Sequence, residues 1–439
     1  MTLTLLADRA ADWARRPAIR GIVGVVLLKA GIIAFNFALI FLAARLLGAH
    51  DFGTYSLLFS AAGLCCVAAT FGQQMLVMRS WSEYGATRDA GLLKGALFFS
   101  TAVCGMGALL VGLGFVAVVG DVGSAVWPVA AYAVLLTLVL YTSHLVRSAV
   151  GVGRGDGYAN IAASLPPVAF LAFCWWSGGR ADLLWTFTFF AAGLAIALVV
   201  HMASMQRVLS ARPGFGSAAP QLDLRSWAPR SWKLWLSSML EAANQYLDVL
   251  LIGWLLSPSV AGAYFVTTRL ANAFATASDA LNMFSTRHIP DLHFRKDRAA
   301  LASLLNSVAA MTALMIAVGL LGLVVGGRWL LAAFNPDYAD YYQALIVLSV
   351  GTAAAAAAGP SASVLMLTGH EGRYLAIMAL SIALRAAGFL ALIPSFGLMG
   401  AVFATALSFT ITAWLLAQSS RTLACMDCSV TRLAHPRTL

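Results

Sequence analysis

Residues 46–60 read LLGAHDFGTYSLLFS and lie between two long apolar runs; residues 256–269 read LSPSVAGAYFVTTR in the same setting. Each copy has a leucine (Leu47, Leu256), a glycine six positions on (Gly53, Gly262) and a tyrosine two after that (Tyr55, Tyr264). A small connector repeated at equivalent places marks a duplicated unit. The glycine reads as the residue that permits a tight turn, and the tyrosine as an anchor at a membrane interface.

Working outward, the flanking runs are apolar enough to need lipid. The chain is 61% apolar and 10% charged, with a mean hydropathy of +0.83, whereas soluble domains carry about 25% charged residues. A bilayer core about 30 Å thick takes roughly 20 apolar residues per helical crossing. Alternating segments of the kind that build a membrane barrel are missing from the sequence, so the reading is an all-α polytopic membrane protein with twelve transmembrane helices. They divide into a bundle of six over residues 21–208 and a bundle of six over 232–418. A cytoplasmic N-terminal segment (1–20), a polar, proline-bearing cytoplasmic linker (209–231) and a cytoplasmic tail (419–439) complete the chain.

Most of the 28 basic residues fall in alternate loops. The first cytoplasmic segment holds Arg9, Arg15, Arg16 and Arg20, and the long central loop with its flanks holds Arg207, Arg212, Arg225, Arg230 and Lys233. By the positive-inside rule both termini are cytoplasmic. Six spans per half is an even number, so the halves share one orientation and are expected to be related by a parallel pseudo-two-fold.

The six cysteines suggest no disulfide framework. Cys425 and Cys428 form one CxxC without a second pair, which reads as an unpaired tail rather than a metal site. Residues 151–157, GVGRGDG, have glycines at a cytoplasmic turn but no preceding strand, and are weak evidence for a nucleotide. No Walker A loop, HExxH or GxSxG occurs, and no cofactor, metal or nucleic-acid partner is expected.

Four stretches carry a family resemblance: ARLLGAHDFGTYSLLFSAAGL (44–64), YLDVLLIGWLLSPSVAGAYFVTTRLAN (246–272), LTGHEGRY after span ten (residues 343–368), and LIPSFGLMGAVFATALS around the last turn. Together the chain resembles the polysaccharide-biosynthesis flippases of the multidrug, oligosaccharidyl-lipid and polysaccharide exporter superfamily. That resemblance implies a V-shaped, MATE-like transporter of two bundles in a bacterial inner membrane. It implies movement of a polyprenyl-pyrophosphate-linked oligosaccharide to the periplasmic leaflet by alternating access, for exopolysaccharide or O-antigen synthesis. Implied partners are the lipid-linked oligosaccharide, membrane lipids and polysaccharide polymerase machinery.

Charged side chains inside spans are costly and face protein or a wet cavity. Six are placed there: Lys29, Glu241, Asp248, Arg269, Asp279 and Arg385. At 1.5 Å per residue, Asp248 and Arg269 both fall roughly 12 Å below the outer face, where they can pair. The pair reads either as a switch lining a cavity or as a fixed bridge between helices. Lys29 and Arg385, with Asn36 two turns above Lys29, read as a site for a pyrophosphate headgroup, and Arg269 as a further anion-binding candidate. Snorkelling is the competing reading for Lys29. Asp248, Glu241 and Asp279 are candidates for coupling or gating. They would be the cation sites of a multidrug exporter, which is the alternative transport reading. A membrane-embedded glycan polymerase or ligase is a third reading, disfavoured by the short external loops. Pro128, Pro166, Pro167 and the Gly359–Pro360 step are expected kink points.

Overall fold

A computed structural model describes residues 17–118, 120–151, 153–273, 278, 281, 282, 285, 289, 292 and 298–434. Among these residues every regular element is helical. The long helices are α1 (Pro17–Leu46), α2 (Gly48–Thr70), α3 (Gln73–Ala86), α4 (Ala90–Val118), α5 (Val126–Ala149), α6 (Tyr158–Ser177) and α7 (Leu183–Ser210). They continue as α8 (Leu224–Leu255), α9 (Pro258–Ala271), α10 (Arg298–Phe334), α11 (Tyr342–Ala357), α12 (Ser361–Leu367), α13 (Glu371–Phe396) and α14 (Leu398–Leu423). Helix is the required answer for such runs, because lipid offers the backbone no partner. Nine candidate spans are long and apolar enough to cross a bilayer among the described residues.

Two expected spans are interrupted. Residues 54–78 break where Phe71 and Gly72 take left-handed φ values of 47° and 75°. The notch is filled by backbone: a Cβ on Gly72 would lie 2.5 Å from the Ser231 carbonyl oxygen. Residues 343–368 break at Gly359, with φ 58°, followed by Pro360, which has no N–H to continue the ladder. Pro166 and Pro167, by contrast, sit inside an unbroken α6.

The chain divides into two compact units, one of residues 1–47 and 62–239, the other of 48–61 and 240–439. In the first, α1 packs on α6, and α5 packs on α4 and α7. The stretch read as the cytoplasmic linker, 209–231, is partly helix and bound to this unit. α7 runs on to Ser210 and α8 begins at Leu224. Between them the Lys94 ammonium donates to the carbonyls of Phe215, Gly216 and Ala218 at 3.5, 3.3 and 3.0 Å. Arg212 lies over the Trp81 ring, and the fully buried Trp227 donates its indole N–H to the Tyr84 hydroxyl at 2.9 Å. The chain therefore leaves this unit within α8, after Met239, and not at the polar loop.

Residues 153–157 of the glycine-rich stretch form a clasp. Its Asp156 accepts from Ser143 at 3.0 Å and pairs with Arg147 at 3.2 Å. His201, buried, bonds the Gly155 carbonyl through Nε2 and Thr142 through Nδ1, each at 3.0 Å.

In the second unit α14 packs on α13 and α11, α10 on α11, and α9 on α11. Here the repeated connector is explained differently from the sequence expectation. Gly53 and Gly262 lie inside α2 and α9, not in turns; the left-handed turn residue is Gly48, at φ 79°. A Cβ on Gly262 would lie 2.9 Å from Gly53 Cα, and one on Gly53 would collide with the Pro258 carbonyl. The two glycines let helix backbones touch. Tyr55 and Tyr264 are each 1% exposed, so neither is an interface anchor. Two residues on from the contact glycine, each ring points to a different side of its helix and is buried there against other neighbours.

Candidate functional site

The second unit encloses a cavity of about 410 Å³ bounded by α8, α9, α11, α13 and α14. α8 presents Asn244 and Asp248 one turn apart on one face. α13 brings Arg385, 2% exposed. Its guanidinium donates from Nη1 to Asp248 Oδ2 at 3.2 Å and from Nη2 to Asn244 Oδ1 at 2.7 Å, with its plane over Phe409 at 5.3 Å. α9 contributes Tyr264, whose hydroxyl donates to the same Asp248 oxygen at 3.2 Å. That proton being committed, the Thr405 hydroxyl of α14 is the donor in the 3.0 Å bond to Tyr264. Four helices are thus joined through one carboxylate.

A buried carboxylate is tolerated when opposite charge and hydrogen bonds surround it, and Asp248 has one guanidinium and one phenol. Arg385 is committed through two of its three nitrogens; Nε is buried without a partner.

Arg269 also lines the cavity but behaves differently. Its guanidinium lies over the Phe265 ring, one turn earlier on α9, at 5.0 Å from the centroid. It makes no ion pair with a carboxylate of the described residues. The expected Asp248–Arg269 pair is corrected here: Asp248 pairs with Arg385. Depth along the helix matched for Arg269, but its side chain turns back onto Phe265 while Tyr264 occupies the carboxylate.

Other candidates separate from this cavity. Glu241 is exposed and does not line it. Asn36 is exposed on α1, in the other unit. Lys29 belongs to α1, but its side chain lies outside the described residues, as does Asp279. The expected grouping of Lys29 with Arg385 draws on two different units. Tyr264, Asn244 and Thr405 were not singled out as functional, although the four-residue spacing of Asn244 and Asp248 and the recurrence of Tyr264 in the repeat were available signals. Among the described residues no cluster of three or more His, Cys, Asp or Glu is placed to hold a metal ion.

The comparisons bear on this architecture. Solved structures similar in fold include a multidrug resistance MATE family transporter of the MOP superfamily in an inward-facing conformation, with a TM-score of 0.69 at 12% identity over 89% of this chain and 95% of that one. Lipid II flippase MurJ, in an inward closed conformation, gives a TM-score of 0.65 at 10% identity over 91% of this chain and 88% of that one. In sequence the chain is 25% identical over 193 residues to the Probable flippase AglR of Haloferax volcanii, covering 43% of this chain. The chain matches only 40% of that relative's length. The family model described as "Polysaccharide biosynthesis protein" matches residues 23–290, more than half of the chain. The chain belongs to that polysaccharide biosynthesis protein family.

Proposed function

We propose that this protein is a flippase that carries a polyprenyl-pyrophosphate-linked oligosaccharide across a bacterial inner membrane by alternating access, supplying exopolysaccharide or O-antigen assembly. One observation carries the reading: the charge balance of the cavity in the second unit. Its described lining has two guanidinium groups, Arg269 and Arg385, against one carboxylate, Asp248. Asp248 is neutralised by Arg385 at 3.2 Å, so the surplus positive charge sits on Arg269. A guanidinium partly removed from water, with no carboxylate paired to it among the described residues, is costly, and stacking on Phe265 offsets only part of that cost. An incoming phosphate oxygen, accepting charge-assisted hydrogen bonds, offsets the rest.

The amides and hydroxyls around it, among them Gln245, Thr268 and Thr352, suit a sugar more than a hydrocarbon. A cation-coupled multidrug exporter is the weaker reading, since Asp248, the one candidate acid that lines the described cavity, is already bridged by Arg385. Within the proposal Arg269 binds the headgroup, and Arg385 holds Asp248 and with it the four helices. Lys29, Asn36 and Asp279 remain candidates for contacts elsewhere along the path. The distribution of arginine and lysine supports cytoplasmic termini, and a polysaccharide polymerase is the expected consumer of the product.

The test is a leaflet-resolved assay in proteoliposomes with a polyprenyl-pyrophosphate oligosaccharide. Arg269→Gln is expected to lower the flipping rate at least tenfold while the protein keeps its unfolding temperature. Normal flipping by that variant would remove Arg269 from the site. Failure of the unmodified protein to move the lipid, together with export of a cationic dye, would favour the exporter.

A further inference from the structure

The tail expected to be unpaired is folded into the second unit. After α14 the chain turns at Cys425, which holds a left-handed φ of 54° without being glycine. Asp427, 5% exposed, pairs with Arg421 at 3.1 Å and accepts from the Ser429 amide and hydroxyl at 3.1 and 2.7 Å. Arg432, 1% exposed, donates from Nε to Asn306 of α10 at 2.6 Å and from Nη1 to the Asp427 carbonyl at 3.1 Å. Ser420 of α14 donates to the Met426 carbonyl at 2.8 Å.

Met426 and Cys428 join Leu301 and Leu305 of α10 and Val364 of α12 in one buried cluster. Arginine is among the residues least often fully buried. A tail that buries one and satisfies it with two acceptors is part of the fold.

The same segment occupies the break in span ten. The Cys428 carbonyl sits where a Cβ on Gly359 would be, and Gly359 holds a left-handed φ of 58°. Glycine meets both demands at once, the conformation and the space. The tail backbone therefore lies in the notch between α11 and α12, while its side chains fasten α10, α12 and α14 around it.

We propose that residues 424–433 are a strap whose docking sets the bend at Gly359–Pro360, so that span ten changes shape only when the tail lets go. A hinge at this place gives the unit a movable element, and the strap controls it. The inference rests on packing alone and stands apart from the identity of the transported molecule.

Peptide-resolved thiol alkylation and amide exchange on the full-length protein test it. Burial pushes the Cys428 thiol up to about 12, so at pH 8 it carries almost no thiolate. Cys425 is exposed. In the unmodified protein Cys425 is expected to be alkylated and Cys428 protected; equal rates would overturn the docked tail. Gly359→Ala is expected to speed alkylation of Cys428 at least tenfold and to speed amide exchange over 357–367. Arg432→Gln, which acts from the tail side, is expected to speed exchange over the same amides.

A variant that loosens one segment and leaves the other untouched would show that bend and tail are independent and end the proposal. Should neither variant accumulate, the unmodified protein in rising denaturant decides. Amides of 425–433 and 357–367 opening with one free energy support the strap, and opening with two different ones refutes it.

Discussion

Asp248, the one acid of the described cavity lining, is held by Arg385 at 3.2 Å and Tyr264 at 3.2 Å. Removing one partner of such a buried pair leaves the other charge uncompensated, at a cost of about 3–5 kcal/mol. Arg385→Met and Asp248→Leu are each expected to lose stability on that scale, and the double variant to lose far less than the sum. Denaturant unfolding of the four proteins checks it; additive losses would mean that no coupling exists. The charges themselves were legible in the sequence, because an ionised group inside an apolar run has to have a reason. The pairing was not. Residue counting yields depth along a helix but not rotation about its axis, and Arg269 and Arg385 differ in which way they face. At Arg269 the deciding neighbour is Phe265, an unremarked aromatic one turn away on its own helix.

Among the elements, the breaks matter more than the lengths. The sequence showed apolar runs long enough to cross, and the breaks at Phe71–Gly72 and Gly359–Pro360 divide two of them. The Pro360 break was legible as a kink point, since proline removes a ladder hydrogen bond. The Gly72 break was not, because its cause is the backbone of α8 pressed into the notch by tertiary packing. The repeated glycines carry a similar lesson: recurrence was plain, but a glycine that serves a turn and one that serves a helix contact look alike in sequence. Gly53→Val and Gly262→Val are each expected to destabilise the protein by about 3 kcal/mol or more, as overpacking against backbone does. Gly114→Val, on α4 with open space around its Cα, is the control and should change stability little. Equal unfolding temperatures for all three would refute the contact.

For the whole molecule, the chain divides into two units, and where it passes between them is not marked by composition. The polar composition of 209–231 suggests a free connection, but Lys94 and Trp227 tie that stretch to the first unit. The seam falls inside two helices, α2 and α8, where sequence has no punctuation. At this scale the orientation is testable: reporters of membrane side fused at either end are expected to give the cytoplasmic signal at both. One end reporting from outside would refute an even number of crossings.

The meeting of Gly53 with Gly262 has a consequence of its own. With no side chain on either residue, backbone bears directly on backbone between α2 and α9, and no rotamer is available there to take up a change in spacing.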